Sequence, residues 1–273
     1  MLDRVLDACA ALEDDTELAL GVVGRRLEDI VEQWVEAQGN PELLQVFINT
    51  VLAEWWEGEG EKLDGNALQK RAIEQAWSFS KGTPTPKPIV LITLGADVQI
   101  DRVEYEIIGW GLGEESWSLH YGKIYGDPKK DPAVLKELDR ILLEPWASQL
   151  GVDLYIRGAA VDSGYAAQQV YKFCKPRLRR PLPDGMSQFV FAVKGSGRPG
   201  RPVWPDKPSR GKKKHLPRIN LWTIASNATK DQIGARLAIA DPGPGFCHYP
   251  AERPLWFFEQ LAAEKREKKW ASG

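Results

Sequence analysis

The 273-residue chain has little cysteine, no long apolar run and almost no net charge. Its three cysteines, Cys9, Cys174 and Cys247, are odd in number and far apart. That excludes a disulfide framework and leaves no Cys-x-x-Cys or Cys/His spacing suited to zinc. A reducing, intracellular setting follows. The most apolar run, Pro88 to Leu94, is far too short to span a bilayer. The N-terminus carries Asp3, Arg4 and Asp7, unlike a signal peptide. Gly21-Val-Val-Gly24 is followed by no Gly-Lys-Ser/Thr, so it is not a phosphate loop. No Gly-x-Ser-x-Gly nucleophile elbow occurs either. The formal charge of −2 argues neither for nor against a polyanionic partner, so the distribution of charge has to decide.

What is present is an ordinary globular composition, 43% apolar and 27% charged, long enough for one large domain or a domain with an appendage. Residues 1–80 read as a helical segment. Leu27, Ile30, Val31, Trp34 and Val35 share a helical face, and Asn40-Pro41 marks a further helix start. A short helix is expected from Asn66 to Phe79. Residues 81–88, Lys-Gly-Thr-Pro-Thr-Pro-Lys-Pro, have the composition of a linker, which places a domain boundary there and a second domain at 89–273.

Beyond residue 88 strands appear. Ile89 to Leu94 is a continuous apolar run, expected as a strand buried on both faces. Val103 to Trp110 and Ser116 to Tyr125 follow after short links, suggesting an antiparallel meander. Asp131-Pro132 caps a helix expected to run to about Leu150. Strands are expected at Leu154–Val161, Phe189–Val193 and Ile219–Ile224, and helices at Ala166–Phe173, from Thr229 and from Pro254. Three strands, helix, strand, helix, strand is the order of an α/β, ribonuclease H-like mixed sheet flanked by helices.

Two acids end strands of that sheet. Asp97 follows the first apolar run after Gly95-Ala96, and Asp162 begins Asp-Ser-Gly at the end of the fourth strand. Singly, each reads more readily as a turn or cap residue. Together, at one end of a single sheet, they can hold the divalent metals that phosphodiester hydrolysis employs. Hard oxygen ligands without neighbouring Cys or His favour Mg²⁺ or Mn²⁺, in a two-metal site. Asp101 and His248 are accessory candidates. A basic loop then runs Lys194, Arg198, Arg201, Lys207, Arg210, Lys212, Lys213, Lys214, His215 and Arg218, with Asp206 its only acid. Lysine and arginine at that density suit a nucleic-acid backbone, and Lys172, Lys175, Arg177, Arg179 and Arg180 form a second basic group.

Gly95-Ala-Asp97-Val-Gln-Ile-Asp101-Arg, Gly109-Trp-Gly-Leu-Gly-Glu-Glu-Ser-Trp117, Asp162-Ser-Gly-Tyr, Ala192-Val-Lys-Gly195, Gly243-Pro-Gly-Phe-Cys-His-Tyr-Pro250 and Glu259-Gln-Leu-Ala-Ala-Glu264 together resemble the nuclease domain of lambda-like phage terminase large subunits, the GpA family. Residues 37–52 resemble the segment joining that family's ATPase and nuclease domains. The resemblance implies a metal-dependent DNA endonuclease that cuts concatemeric double-stranded DNA during packaging in the host cell cytoplasm, beside a small terminase subunit and a portal, with no membrane. It makes Asp97 and Asp162 the first two acids of the site. Without a Walker A motif there is no ATP site in this chain. The family's further acid follows the last helix in an Asn-Glu-Ala-Leu-Asp-like segment, and the chain ends at Gly273 short of it. Asp101, Asp241, Glu259 and Glu264 are conceivable substitutes. Two other readings stay open: a catalytically incomplete DNA-binding or assembly fragment, and a different ribonuclease H-like enzyme such as a transposase or resolvase.

Overall fold

The structure, a computed structural model, describes residues 27–37, 46, 47, 51, 64–198, 200–210 and 219–263. The chain forms two compact units, Met1–Glu61 and Lys62–Gly273. In the first, helix α1 (Leu27–Ala37) buries Ile30, Trp34 and Ala37 at helical spacing, and the Trp34 ring lies 5.4 Å from that of Phe47. Val31 and Val35, expected on the same face, are instead exposed. The helix start at Asn40-Pro41 lies outside the described residues.

The second unit opens with helix α2 (Gly65–Glu74), where the Asp64 carboxylate accepts from the Asn66 amide and caps the free N–H groups. In segment 81–88, Thr85 is fully buried: its amide donates to the Ala147 carbonyl, and its own carbonyl accepts from the Gln149 amide. Three strands then form the meander: β1 (Leu91–Val98), β2 (Arg102–Trp110) and β3 (Ser116–Tyr125). β1 alternates buried and open positions, with Leu91 40% exposed, so it is not a strand buried on both faces. It also runs through Asp97 rather than stopping before it. Helix α3 (Pro132–Leu142) is capped by Asp131 as expected, but it ends well before Leu150. Pro145 lies just past it, and a residue preceding proline is pushed out of the α region. Strands β4 (Trp146–Ala147) and β5 (Asp153–Leu154) pair there instead.

The remaining elements are β6 (Ile156–Asp162), helix α4 (Ala167–Cys174), β7 (Arg180–Pro181), β8 (Ser187–Ser196), β9 (Ser209–Arg210), β10 (Asn220–Ala225), helix α5 (Ser226–Leu237), β11 (Cys247–His248) and helix α6 (Leu255–Ala263). The main sheet has the order β11-β3-β2-β1-β6-β8-β10-β9, with β7 paired to β8. β1, β6, β8 and β10 are parallel, and β2 and β3 extend the sheet antiparallel. This is the ribonuclease H-like mixed sheet that the element order suggested.

Each face has its own cover. On one, Val134, Leu138, Ile141 and Leu142 of α3 and Val170, Phe173 and Cys174 of α4 pack on Ile92, Leu94, Val161, Val190 and their neighbours. Burial of a single such side chain contributes about 1.5–3 kcal/mol. On the other, Leu68 and Ala72 of α2, Leu237 of α5, and Phe257 and Phe258 of α6 gather with Tyr121 of β3. The α2–α6 approach needs glycine, because a Cβ on Gly65 would meet the Glu259 backbone nitrogen at 2.8 Å.

Candidate active site

Strand register brings the two aspartates together. β1 and β6 pair Gly95 with Ala160 and Ala96 with Val161, so the next parallel pair is Asp97 with Asp162, on the same side of the sheet. This side carries small residues leading to the acids: Gly95, Gly158 and Ala160. Nothing lies within 4 Å of where a Gly95 Cβ would stand. The two aspartates thus close one end of an open trough, between the α2–α6 cluster over β3 and an aromatic group over β8 and β10.

Local chemistry fixes each carboxylate. Asp162 accepts from the Gly164 amide at 2.8 Å, and a Cβ on Gly164 would stand 2.9 Å from the same oxygen, Oδ2. This explains the Asp-Ser-Gly sequence at its glycine. The serine explains the strand end, since the buried Ser163 donates both its amide and its Oγ to the Val193 carbonyl, tying β6 to β8. Asp97 is exposed and accepts from Gln99 Nε2 at 2.7 Å. Burial pushes the half-buried Asp162 carboxyl above the usual carboxylate range. The Gly164 amide opposes that shift, the Asp97 charge adds to it, and Lys194 opposes it.

A third acid, which reasoning from the sequence missed, stands next to this pair. The β1–β2 register sets Glu104 directly opposite Asp97. Its carboxylate turns to Arg102, to Lys123 at 3.3 Å and to the Tyr121 hydroxyl. Burial raises this carboxyl, but hydrogen bonds from Tyr121, Arg102 and Lys123 outweigh it and hold it below the usual range. The hairpin between Val98 and Val103 contained the signal, because counting back from the turn pairs Asp97 with Glu104.

Other expected residues fall elsewhere. His248 pairs with Trp117 in register, near the opposite end of the sheet from Asp97. There its Nε2 lies 2.7 Å from Glu115, and its ring stacks on Trp117 at 4.8 Å. It does not share a site with the aspartates. Asp101 sits in the β1–β2 turn, bound to Arg102 at 2.8 Å. Among the described residues no group of three His, Cys, Asp or Glu side chains gathers at metal-ligand distance, so Asp101, Asp241 and Glu259 do not complete the pair. Glu264 lies outside the described residues. Lys194 and Arg198 are exposed at the end of β8 and Arg201 is partly exposed, whereas Lys212, Lys213 and Lys214 lie outside the described residues. In the second basic group, Arg177 and Arg180 both bind Asp139, at 2.6 Å each, while Lys172, Lys175 and Arg179 are exposed.

Two hard-oxygen carboxylates of like charge, one of them pushed towards its neutral form by burial and by its neighbour, fit a divalent cation. A ribonuclease H-like sheet with acids paired where parallel strands end defines the class. Residues 17–273 match the family of the terminase large subunit gpA endonuclease domain, and the chain belongs to that family. The terminase large subunit of Escherichia phage lambda is 27% identical over 252 residues, covering 89% of this chain and 36% of that protein. The corresponding subunit of Enterobacteria phage P21 is 27% identical over 255 residues, covering 89% and 37%. The chain thus spans little more than a third of the length of these relatives. No solved structure matches it. Family membership sets aside the transposase or resolvase reading.

Proposed function

We propose that this chain is a divalent-metal-dependent DNA endonuclease domain that cuts concatemeric DNA during phage genome packaging, in the host cytoplasm, with a small terminase subunit and a portal as partners. The observation carrying this reading is the parallel register that sets Asp97 beside Asp162 at the end of an open trough. Asp97 and Asp162 would hold Mg²⁺ or Mn²⁺, which when bound polarises the phosphate and supplies hydroxide at neutral pH.

The chain's own groups do the rest. The Gly164 amide and Gln99 fix one oxygen of each aspartate, so the carboxylates meet a cation without reorganising. The small residues of the trough let a backbone phosphate approach the acids. Lys194, whose charge reaches Asp162, lies where it can balance an incoming phosphate. Arg198 and Arg201 hold the flanking backbone without reading sequence.

Incubation of supercoiled plasmid with the purified chain tests the proposal. Nicking is expected with Mn²⁺ or Mg²⁺, none with chelator, and no requirement for ATP. Nicking that persists in excess chelator would contradict metal dependence. Duplex binding without cleavage under every divalent ion would instead support a DNA-binding assembly unit.

A further inference from the structure

Four aromatic rings cluster on the sheet face that carries the aspartates. Phe189 and Phe191 stack with planes 4° apart, Phe191 meets Trp222 edge-on at 5.7 Å, and Trp204 stacks on Trp222 at 5.0 Å. A core cluster would hide such rings, yet Trp204 is 43% exposed and Phe189 38%. Among the described residues the buried Trp222 indole N–H has no hydrogen-bond partner. Register fixes their position. Asp162 pairs with Val193, and Val193 with Trp222, so Trp222 lies two strand spacings from Asp162 in the same row. That separation is about 10 Å, within reach of neighbouring nucleotides on one strand. Trp204 belongs to the loop that carries Arg198 and Arg201, so cationic groups border the rings.

We infer that this aromatic group is a stacking platform for unpaired bases of DNA, beside the proposed cutting site. The inference rests on the nuclease reading, because it assigns the platform to the same substrate. Rings accept any base through their π-faces, and cations beside them hold the backbone. Duplex DNA keeps its bases stacked internally, so the platform adds affinity for a single strand or frayed end and little for intact duplex. The proximity to Asp162 means that a strand seated on the rings passes its adjoining phosphates over the acids.

The test measures binding of a fluorescently labelled oligothymidine and of a blunt duplex by anisotropy across a salt series, without divalent ions. Trp204→Ala is expected to weaken the single strand by roughly 5- to 150-fold, the range that the loss of one base stack gives. The dependence of affinity on salt should stay unchanged, since the indole neutralises no phosphate. Duplex affinity should change less than twofold, and Trp204→Phe should restore most of the loss. Phe189→Ala, at the platform's exposed edge, provides a second variant with less risk to the loop. Equal weakening of single strand and duplex, or unchanged single-strand affinity in both alanine variants, would overturn the platform alone. If the wild-type chain binds neither DNA, the nuclease reading fails and the platform fails with it.

Discussion

At the residue scale, Asp162 stands out because the fold works against its charge. Burial and Asp97 both favour the neutral carboxyl, and a group whose folded pKa is raised costs stability once it ionises. Asp162→Asn keeps an acceptor for the Gly164 amide and removes that cost. Its midpoint of thermal unfolding is expected to rise at neutral pH, by about 2–4 °C for each kcal/mol relieved. The gain should shrink as pH falls through the raised pKa and vanish below the unfolded value, where wild-type Asp162 is also neutral. Saturating Mn²⁺ should raise the midpoint of the wild type and leave the variant's unchanged, because only a folded state with the ligand pair binds the ion. Equal Mn²⁺ shifts in the two proteins, followed by scanning fluorimetry, would remove Asp162 from the metal site. Asp97 and Asp162 were both readable as acids closing apolar runs. Glu104 was legible only by counting the register back from the β1–β2 turn, because otherwise its side chain reads as one more polar residue in an alternating strand. Nor could the sequence position of His248 show that β11 joins the sheet at its far edge.

At the scale of elements, two polar residues join pieces of chain that hydrophobic pattern alone leaves unlinked. Gln188 of β8 is fully buried, and its Nε2 donates to the carbonyls of Leu142 and Ile156, 2.7 Å each. It links the end of α3 to the start of β6. Gln188→Leu leaves two buried carbonyls unpaired and is expected to cost about 1–3 kcal/mol in urea unfolding. Asp139 of α3 holds Arg177 and Arg180, joining that helix to the segment after α4. Hydrogen bonds from Arg177 hold its carboxyl below the usual range against the opposing effect of burial, and Arg180 adds to them. A depressed folded pKa contributes stability above the unfolded value of about 3.9, lost as pH falls through the lower folded value. Asp139→Asn should therefore be less stable than wild type at pH 6, and the gap should narrow as pH falls below the unfolded value and through the depressed folded one, as unfolding midpoints can show. The element order and most strands were readable because apolar runs and short links are local features. The end of β1 was obscured by Gly95 and Ala96, which lack the bulk that marks a strand, yet those small residues are what open the trough. The packing of Thr85 into a segment with linker composition rests on hydrogen bonds to residues more than sixty positions away.

At the scale of the whole molecule, a net charge of −2 conceals segregation. On the proposed reading, the acids at the end of the trough lessen the attraction for DNA until a cation bridges them, while the loop after β8 supplies enough positive charge to bind it with or without metal. Duplex binding in the presence of divalent ions should weaken steeply with salt. Arg198→Ala with Arg201→Ala should lower the magnitude of the log–log slope by about two, one for each phosphate no longer neutralised. An unchanged slope would show that these arginines do not touch the backbone.

The claim on which all of this depends is that Asp97 and Asp162 act together. The most direct measurement is the initial rate of supercoiled plasmid nicking in Mn²⁺ by the wild-type chain, Asp97→Asn and Asp162→Asn, each confirmed to be folded and to bind duplex. Each substitution is expected to lower the rate at least a hundredfold while duplex binding without metal is kept. Nicking at the wild-type rate by either folded variant would contradict the assignment.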